Sequence, residues 1–354
     1  MKEHVLKLDW LGFTFKADIS IDKTPLSQFL EVFPEFKQEY FVIPEFRLSR
    51  RYSNCLMYCD MVISYNTFEG DLTPSEFSKM FSMGVNVQVP SHSLDLLFEM
   101  FEIDKNDDFG VFNLFTLLRK RHCKFSRIDM AYDDFNKTFR PSYYARKWID
   151  GLIQTPVHNS NVMFWGSDET GGTMYFGSLK KRNKLLRIYD KFIESEGEID
   201  SVRYEFEYHS NIAENFAELV LNDYKDGVPF IDILFAIVKV KDKNSVENCG
   251  RIQDAKIDSE WIDSVNSQFN AIMPIRIPSV RISYESSLTH YLEYQALPSI
   301  AGFALVYGTH ALLEIIRQAL KQDRINSKYK NFYYKLKACD ELFEDSSYID
   351  NPFI

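Results

Sequence analysis

The chain is poor in the residues and motifs that announce the commonest chemistries. Its five cysteines are an odd number, and only Cys55 and Cys59 stand four apart, with no second pair at zinc-ligand spacing behind them. That argues against a disulfide framework or a zinc ribbon. It fits the reduced thiols of a cytoplasm, where these two serve as small core hydrophobes. No apolar run reaches the roughly 18 residues that cross a bilayer, and Met1-Lys-Glu-His-Val-Leu-Lys-Leu-Asp9 lacks the apolar core of a secretion signal. A cytoplasmic protein with no membrane partner is therefore expected. The seven histidines form no His-x-His or His-Glu-x-x-His pair, which disfavours a zinc hydrolase. There is no G-x-S-x-G elbow, Walker loop or G-x-G-x-x-G turn, so serine hydrolases, P-loop nucleotidases and dinucleotide enzymes are set aside.

What is present is hydrophobic and aromatic. Hydrophobic residues make up 45% of the 354 and aromatics 15%, including 30 Phe and 20 Tyr, the composition of a globular chain with core enough for two or three domains. The formal charge of −10 argues against indiscriminate nucleic-acid binding, but two local runs oppose it. Arg119-Lys-Arg-His-Cys-Lys-Phe-Ser-Arg127 carries five positives and no acid, and Lys180-Lys-Arg-Asn-Lys-Leu-Leu-Arg187 carries five more. A basic turn is ordinarily a solvated turn. Two that lead into a polar sheet face make sense if a phosphate backbone crosses it.

Periodicity predicts strands over 8–15, 56–67 and 84–89, helices over 24–33 and 94–103, and a polar loop over 104–110. It then predicts strands over 126–134, 162–166, 173–177, 185–191 and 202–209, with helices over 143–152 and 212–221. Both parts read strand, helix, hairpin, then a strand running into a helix. The expectation is an α+β fold: an extended, mostly antiparallel sheet from two pseudo-repeated α+β units, with helices on one face. The divisions are an N-terminal unit 1–110, a second unit 111–240 and a mainly helical region 241–354. In that last region 241–250 reads as a polar linker, 258–269 and 298–323 as helices, and 328–337 as a basic–aromatic stripe.

Three strands stand out. Arg127-Ile-Asp-Met-Ala-Tyr-Asp133, Leu185-Leu-Arg-Ile-Tyr-Asp-Lys191 and Val202-Arg-Tyr-Glu-Phe-Glu-Tyr-His209 alternate with a period of two. One face of each is apolar. The other carries Arg127, Asp129 and Asp133; Arg187, Tyr189 and Lys191; Arg203, Glu205, Glu207 and His209. Charged outward faces are common on half-exposed sheets, so solvation accounts for any one strand. For three together, solvation and a site for metal and phosphate stand level. Carboxylates without histidine pairs suit Mg²⁺ or Mn²⁺. A tyrosine beside such a metal can attack a phosphodiester once cations stabilise its phenolate, and Tyr189 lies between Arg187 and Lys191.

Arg127-Ile-Asp129 with Asp133, the Gly166-Ser-Asp-Glu-Thr-Gly-Gly-Thr-Met-Tyr-Phe-Gly-Ser178 stretch leading to Leu186-Arg-Ile-Tyr-Asp-Lys191, and Arg203-Tyr-Glu205 together resemble the replication initiation factor family. These are rolling-circle initiators of small plasmids, integrative conjugative elements and filamentous phages, and the glycine-rich stretch looks closest to the phage branch. Asp9-Trp-Leu-Gly-Phe-Thr14 and Gly84-Val-Asn-Val-Gln-Val-Pro-Ser91 fit the same pattern, so the resemblance spans about residues 8 to 240. It implies a metal-dependent enzyme that nicks and rejoins one strand of origin DNA. Tyr189 would be the nucleophile, flanked by Arg187 and Lys191, and Asp129 and Glu205 would hold Mg²⁺ or Mn²⁺ with Glu207 or Asp133. Its DNA contacts are expected from Arg119, Lys120, Arg121, Lys124, Arg127, Lys180, Lys181, Arg182, Lys184 and Arg203. Origin DNA, a host helicase and a homodimer are the expected partners. A non-enzymatic DNA-binding regulator on the same scaffold and a water-using metal nuclease are the rivals.

Overall fold

The computed structural model describes residues 6–276 except 45–50, 68–72, 168–170, 180–182, 196, 270–271 and 274. Lys180, Lys181, Arg182, the 298–323 helix and the 328–337 stripe lie outside the described residues.

The first unit runs β1 (Leu6–Phe15), α1 (Pro25–Val32), β2 (Phe41–Val42), β3 (Asn54–Tyr58), β4 (Met61–Tyr65), α2 (Pro74–Met83), β5 (Val85–Pro90) and α3 (Ser91–Met100). After α4 (Gly110–Lys120) come β6 (Cys123–Asp134), α5 (Pro141–Ile149), β7 (Ile153–Gln154), β8 (Val162–Trp165), β9 (Thr173–Phe176), β10 (Lys184–Asp190), α6 (Lys191–Glu194), β11 (Val202–His209) and α7 (Asn211–Asn222). The described chain closes with β12 (Val228–Pro229), α8 (Phe230–Phe235), β13 (Lys239–Val240), α9 (Lys243–Asn248), α10 (Ser259–Phe269), β14 (Ile272–Met273) and β15 (Ile275–Arg276).

One large sheet carries most strands in the order β2-β3-β4-β5-β1-β6-β11-β10-β9-β8. The order is the expected pseudo-repeat. In each half the opening strand pairs with the last (β1 with β5, β6 with β11), and the remaining strands follow outward in reverse. The halves join where β1 and β6 pair antiparallel, the 10-residue β1 lying against the 12-residue β6. Every pair along this path is antiparallel, and β15 adds to β1 in parallel.

Alternation sorts the two faces. Leu11, Phe13, Val87, Ile128, Met130, Phe206 and Ile188 are fully buried on one of them. The helices pack there, α3 on β1 and β5, α7 on β6 and β11, α5 on β9 and β10. Burial of each such side chain stabilises by about 1.5–3 kcal/mol. The opposite face is left polar. Two bulges adjust it: Asp9 is extra in β1 between Leu8 and Trp10, and Ser126 is extra in β6 opposite the Gly12–Phe13 step. Bulges re-aim side chains, and here they keep Lys7, Trp10, Arg127 and Asp129 on the polar side.

Three expectations need correction. The strand predicted over 56–67 is a hairpin, β3 and β4, turned at Cys59 and Asp60 with Cys59 at φ 54°. In the basic run, Arg119 and Lys120 end α4, and only Arg121 and His122 form the turn before β6. The predicted linker is folded onto the second unit. Lys241 is buried, its backbone N–H donates to Leu152 at 2.8 Å, and its ammonium donates to the Ala255 carbonyl at 2.7 Å.

Candidate active site

Strands β6, β11 and β10 are neighbours, and their register stacks the polar residues of the three sequence segments on one surface. Glu207 lies opposite Asp129, Glu205 opposite Ala131, and Arg203 opposite Asp133. On the other side of β11, Arg187 lies opposite Glu205 and Tyr189 opposite Arg203.

The residues divide into three groups. In the first, the Tyr189 hydroxyl donates to Glu205 Oε2 at 3.1 Å, while Arg187 pairs with Glu205 Oε1 and stands 3.8 Å from Glu207. Burial pushes the Tyr189 phenol well up, with Glu205 adding to the effect and Arg203 and Arg187 opposing it. Burial likewise raises the Glu205 carboxyl, against the Arg187 charge. The guanidinium of Arg187 and the ammonium of Lys191 each lie 5.9 Å from the Tyr189 ring centroid.

The second group is Asp129, Glu207 and His209, each with a ligand atom within 4.8 Å of the others. His209 Nε2 is 3.1 Å from Glu207 Oε2. Arg127 grips Asp129, with Nε 3.0 Å from both oxygens and Nη2 2.5 Å from Oδ2, and stacks over Trp10 at 4.2 Å. Burial lifts the Asp129 carboxyl to about 7; Arg127 counteracts it, and Glu207 and Glu205 add to it. Two carboxylates and an imidazole within reach of one another are a donor set for a divalent cation.

The third group is an ion-paired brace. Arg203 donates to Asp133 at 2.6 and 2.9 Å, and Lys7 reaches the same carboxylate at 2.6 Å. Burial alone would raise the Asp133 carboxyl, but Arg203 and Lys7 outweigh it and hold it at about 2. The bulged Asp9 comes within 3.9 Å of Arg203 from β1.

A cleft of about 450 Å³ opens beside Tyr189, lined also by Tyr175, Thr173, Gly172, Arg187 and Glu205. At Gly172 a Cβ would meet the Phe164 ring at 2.7 Å, so the glycine lets the β8–β9 connection close against its own strand.

The expected site residues separate accordingly. Tyr189, Arg187, Lys191 and Glu205 come together, as do Asp129 and Glu207. Asp133 is held by two cations instead of standing in the carboxylate–imidazole group, and Glu205 has both oxygens engaged outside that group. Alternation puts His209 on the polar face of β11, but only the register of β6 and β11 brings it into one group with Asp129 and Glu207. The basic residues divide too. Arg119 pairs with Glu214 at 2.9 Å and Glu218 at 2.5 Å, and Arg121 pairs with Glu35 at 3.0 and 2.7 Å while covering Phe33. These arginines tie α4 to α7 and to the first unit. Lys120 and Lys124 are exposed, and Lys184 is half-buried, its ammonium 3.4 Å from the Ala236 carbonyl. Of the other tyrosines near the site, Tyr208 is buried on the opposite face against Phe216, rings 4.9 Å apart.

A family model described as replication initiation factor matches residues 123–312, from the first residue of β6 through all three strands of the site. No curated protein matches the chain. Among solved structures, the rolling circle replication initiator protein from Geobacillus stearothermophilus is similar in fold, with a TM-score of 0.56 at 17% identity. The match covers 77% of this chain and 98% of that one.

Proposed function

The chain belongs to the replication initiation factor family, and from that premise we propose that it nicks one strand of origin DNA with Tyr189 as nucleophile and later rejoins it. The observation that carries this reading is the hydrogen bond from Tyr189 to Glu205, set between Arg187 and Arg203 in the register of β10 and β11.

A phenol held protonated by burial must lose its proton as it attacks, and Glu205 is the acceptor in contact with it. The Tyr189 oxygen forms a bond to phosphorus, its proton passes to Glu205, and the P–O3′ bond breaks. The departing oxygen takes a proton from solvent water and becomes a 3′-hydroxyl, while the 5′-phosphate stays on Tyr189. The exchange conserves the energy of the phosphodiester, and rejoining is its reverse: a 3′-hydroxyl attacks phosphorus and Tyr189 recovers its proton from Glu205. Arg187 and Arg203 flank the phenolate with positive charge as it develops. Asp129, Glu207 and His209 would hold Mg²⁺ or Mn²⁺, which would supply Lewis-acid polarisation of the scissile phosphate. Lys191 stands at the mouth of the cleft in an ion pair with Glu194.

The test is to incubate the protein with Mn²⁺ and single-stranded oligonucleotides tiling the origin, then denature. A protein–DNA adduct that survives denaturation, and is lost with Tyr189→Phe, supports the reading. Nicking without an adduct would favour a nuclease that uses water. Origin binding with no nicking at all would favour a regulator.

A further inference from the structure

Trp165 ends β8 with 59% of its surface exposed. A single exposed hydrophobic is ordinary; the row in which this one stands is not. Register pairs Trp165 with Thr173, and Thr173 with Tyr189. Indole and phenol therefore project from the same face of the sheet, two strand spacings or about 10 Å apart. The adjacent row pairs Tyr175 with Arg187. Tyr175 meets Trp165 edge-on, ring centroids 5.8 Å apart and planes at 60°, a geometry that steadies the indole while most of its surface stays open. Tyr175 also lines the cleft beside Tyr189 and Arg187. An aromatic platform thus continues directly from the cleft, whose lining sets Arg187, Lys191 and Arg203 among Asp9, Asp190, Glu194 and Glu205.

We propose that Trp165, braced by Tyr175, is the stacking platform for an unpaired base of the strand whose phosphate lies at Tyr189. This rests on the nicking function proposed above. The chemistry selects the occupant. A phosphate at Tyr189 would meet Arg187 and Lys191, which would exchange their Glu205 and Glu194 partners for it, and every base offers a π-face to an indole. A base inside a duplex keeps its faces against its neighbours, so the ligand is single-stranded. Stacking of this kind tolerates any sequence; the platform holds the strand and does not read it.

The experiment uses the full chain carrying Tyr189→Phe, so that binding is read without cleavage. The probes are an oligo(dT) strand of roughly 15 nucleotides and a duplex of equal length. With Trp165→Ala, oligo(dT) affinity should fall about tenfold or more while duplex affinity holds. Trp165→Phe should recover most of the loss. Oligo(dT) should quench tryptophan fluorescence in the parent and much less in Trp165→Phe, which also keeps the test open if the alanine variant folds poorly. Unchanged oligo(dT) affinity, equal weakening toward strand and duplex, or a change of oligomeric state in place of DNA affinity would overturn the platform. Failure of the nicking reading looks different: Tyr189→Phe alone would still form the covalent adduct, whatever Trp165 does.

Discussion

Tyr189 and Glu205 meet on the diagonal between β10 and β11, the phenol donating to one carboxylate oxygen while Arg187 holds the other. Because Tyr189 stands directly opposite Arg203 and Glu205 directly opposite Arg187, phenol, base and two cations occupy the two rungs of one ladder that follow each other on the polar face. Tyr189→Phe removes one oxygen and keeps the ring, so the cost in stability should stay at about 1–3 kcal/mol, from the donor lost to buried Glu205. Adduct formation should vanish and DNA binding should persist. Glu205→Gln keeps the shape and removes the proton acceptor, so the nicking rate should fall by about 10²–10⁴ with binding retained. Single-turnover kinetics on a labelled strand measure both, and full activity in either variant would remove that residue from the chemistry.

The carboxylate–imidazole group carries a definite pH dependence. Asp129 titrates near 7 in the folded protein, above its unfolded value, so the folded state holds an extra proton between roughly pH 4 and 7. In the cation-free protein stability should therefore decline as pH rises through that window, and Asp129→Asn should abolish this part of the decline. A cation has to displace the same proton. Mn²⁺ affinity should weaken about tenfold for each pH unit below 7 and level off above it. Titration calorimetry from about pH 6 to 8 checks this. His209→Ala and Glu207→Gln should each weaken Mn²⁺ binding, whereas Asp133→Asn should leave it unchanged.

Asp133 has the opposite sign. Its folded-state value of about 2 lies below the unfolded one, so its contribution is present above roughly pH 4 and disappears as pH falls toward 2. Asp133→Asn leaves Arg203 buried without its carboxylate and should cost about 3–5 kcal/mol near neutral pH. The penalty should shrink in acid. Denaturant melts across pH measure it, and a penalty that stays constant into strong acid would contradict the ion-pair account.

Much of this architecture is legible in the residues, because alternation with a period of two fixes which side chains share a face. Alternation assigns Asp129, Glu205, Glu207 and Tyr189 each to the polar face of its own strand, and to one surface provided the strands share a sheet; the repeated order of elements points to that doubled sheet. Pairing across strands is a different matter. Spacing within β11 cannot say that His209 stands near Asp129, nor that Lys7, more than a hundred residues away in sequence, pairs with Asp133. The turn at Cys59–Asp60 hid inside an apolar run because it contains neither glycine nor proline. The acceptors of Arg119 and Arg121 lie on α7 and before β2, so a linear count of positive charge overstated what the run offers to DNA.

That last division gives a test of how an acidic protein meets DNA. Lys120 and Lys124 are exposed, whereas Arg119 and Arg121 are engaged by Glu214, Glu218 and Glu35. Each phosphate neutralised on a single strand adds about 0.7 to the slope of log affinity against log salt. Replacing Lys120 and Lys124 together by alanine should flatten that slope by up to about 1.4 units and leave the melting temperature nearly unchanged. The loss should be similar for any sequence, since backbone contacts position DNA without reading it. Arg121→Ala should do the reverse, lowering the melting temperature by breaking the Glu35 pair and uncovering Phe33, with the salt slope intact. Binding titrations over a range of salt concentrations, read beside thermal melts, separate the two. A slope that responds to Arg121 and not to the lysines would mean that the DNA path displaces Glu35 and runs over the end of α4.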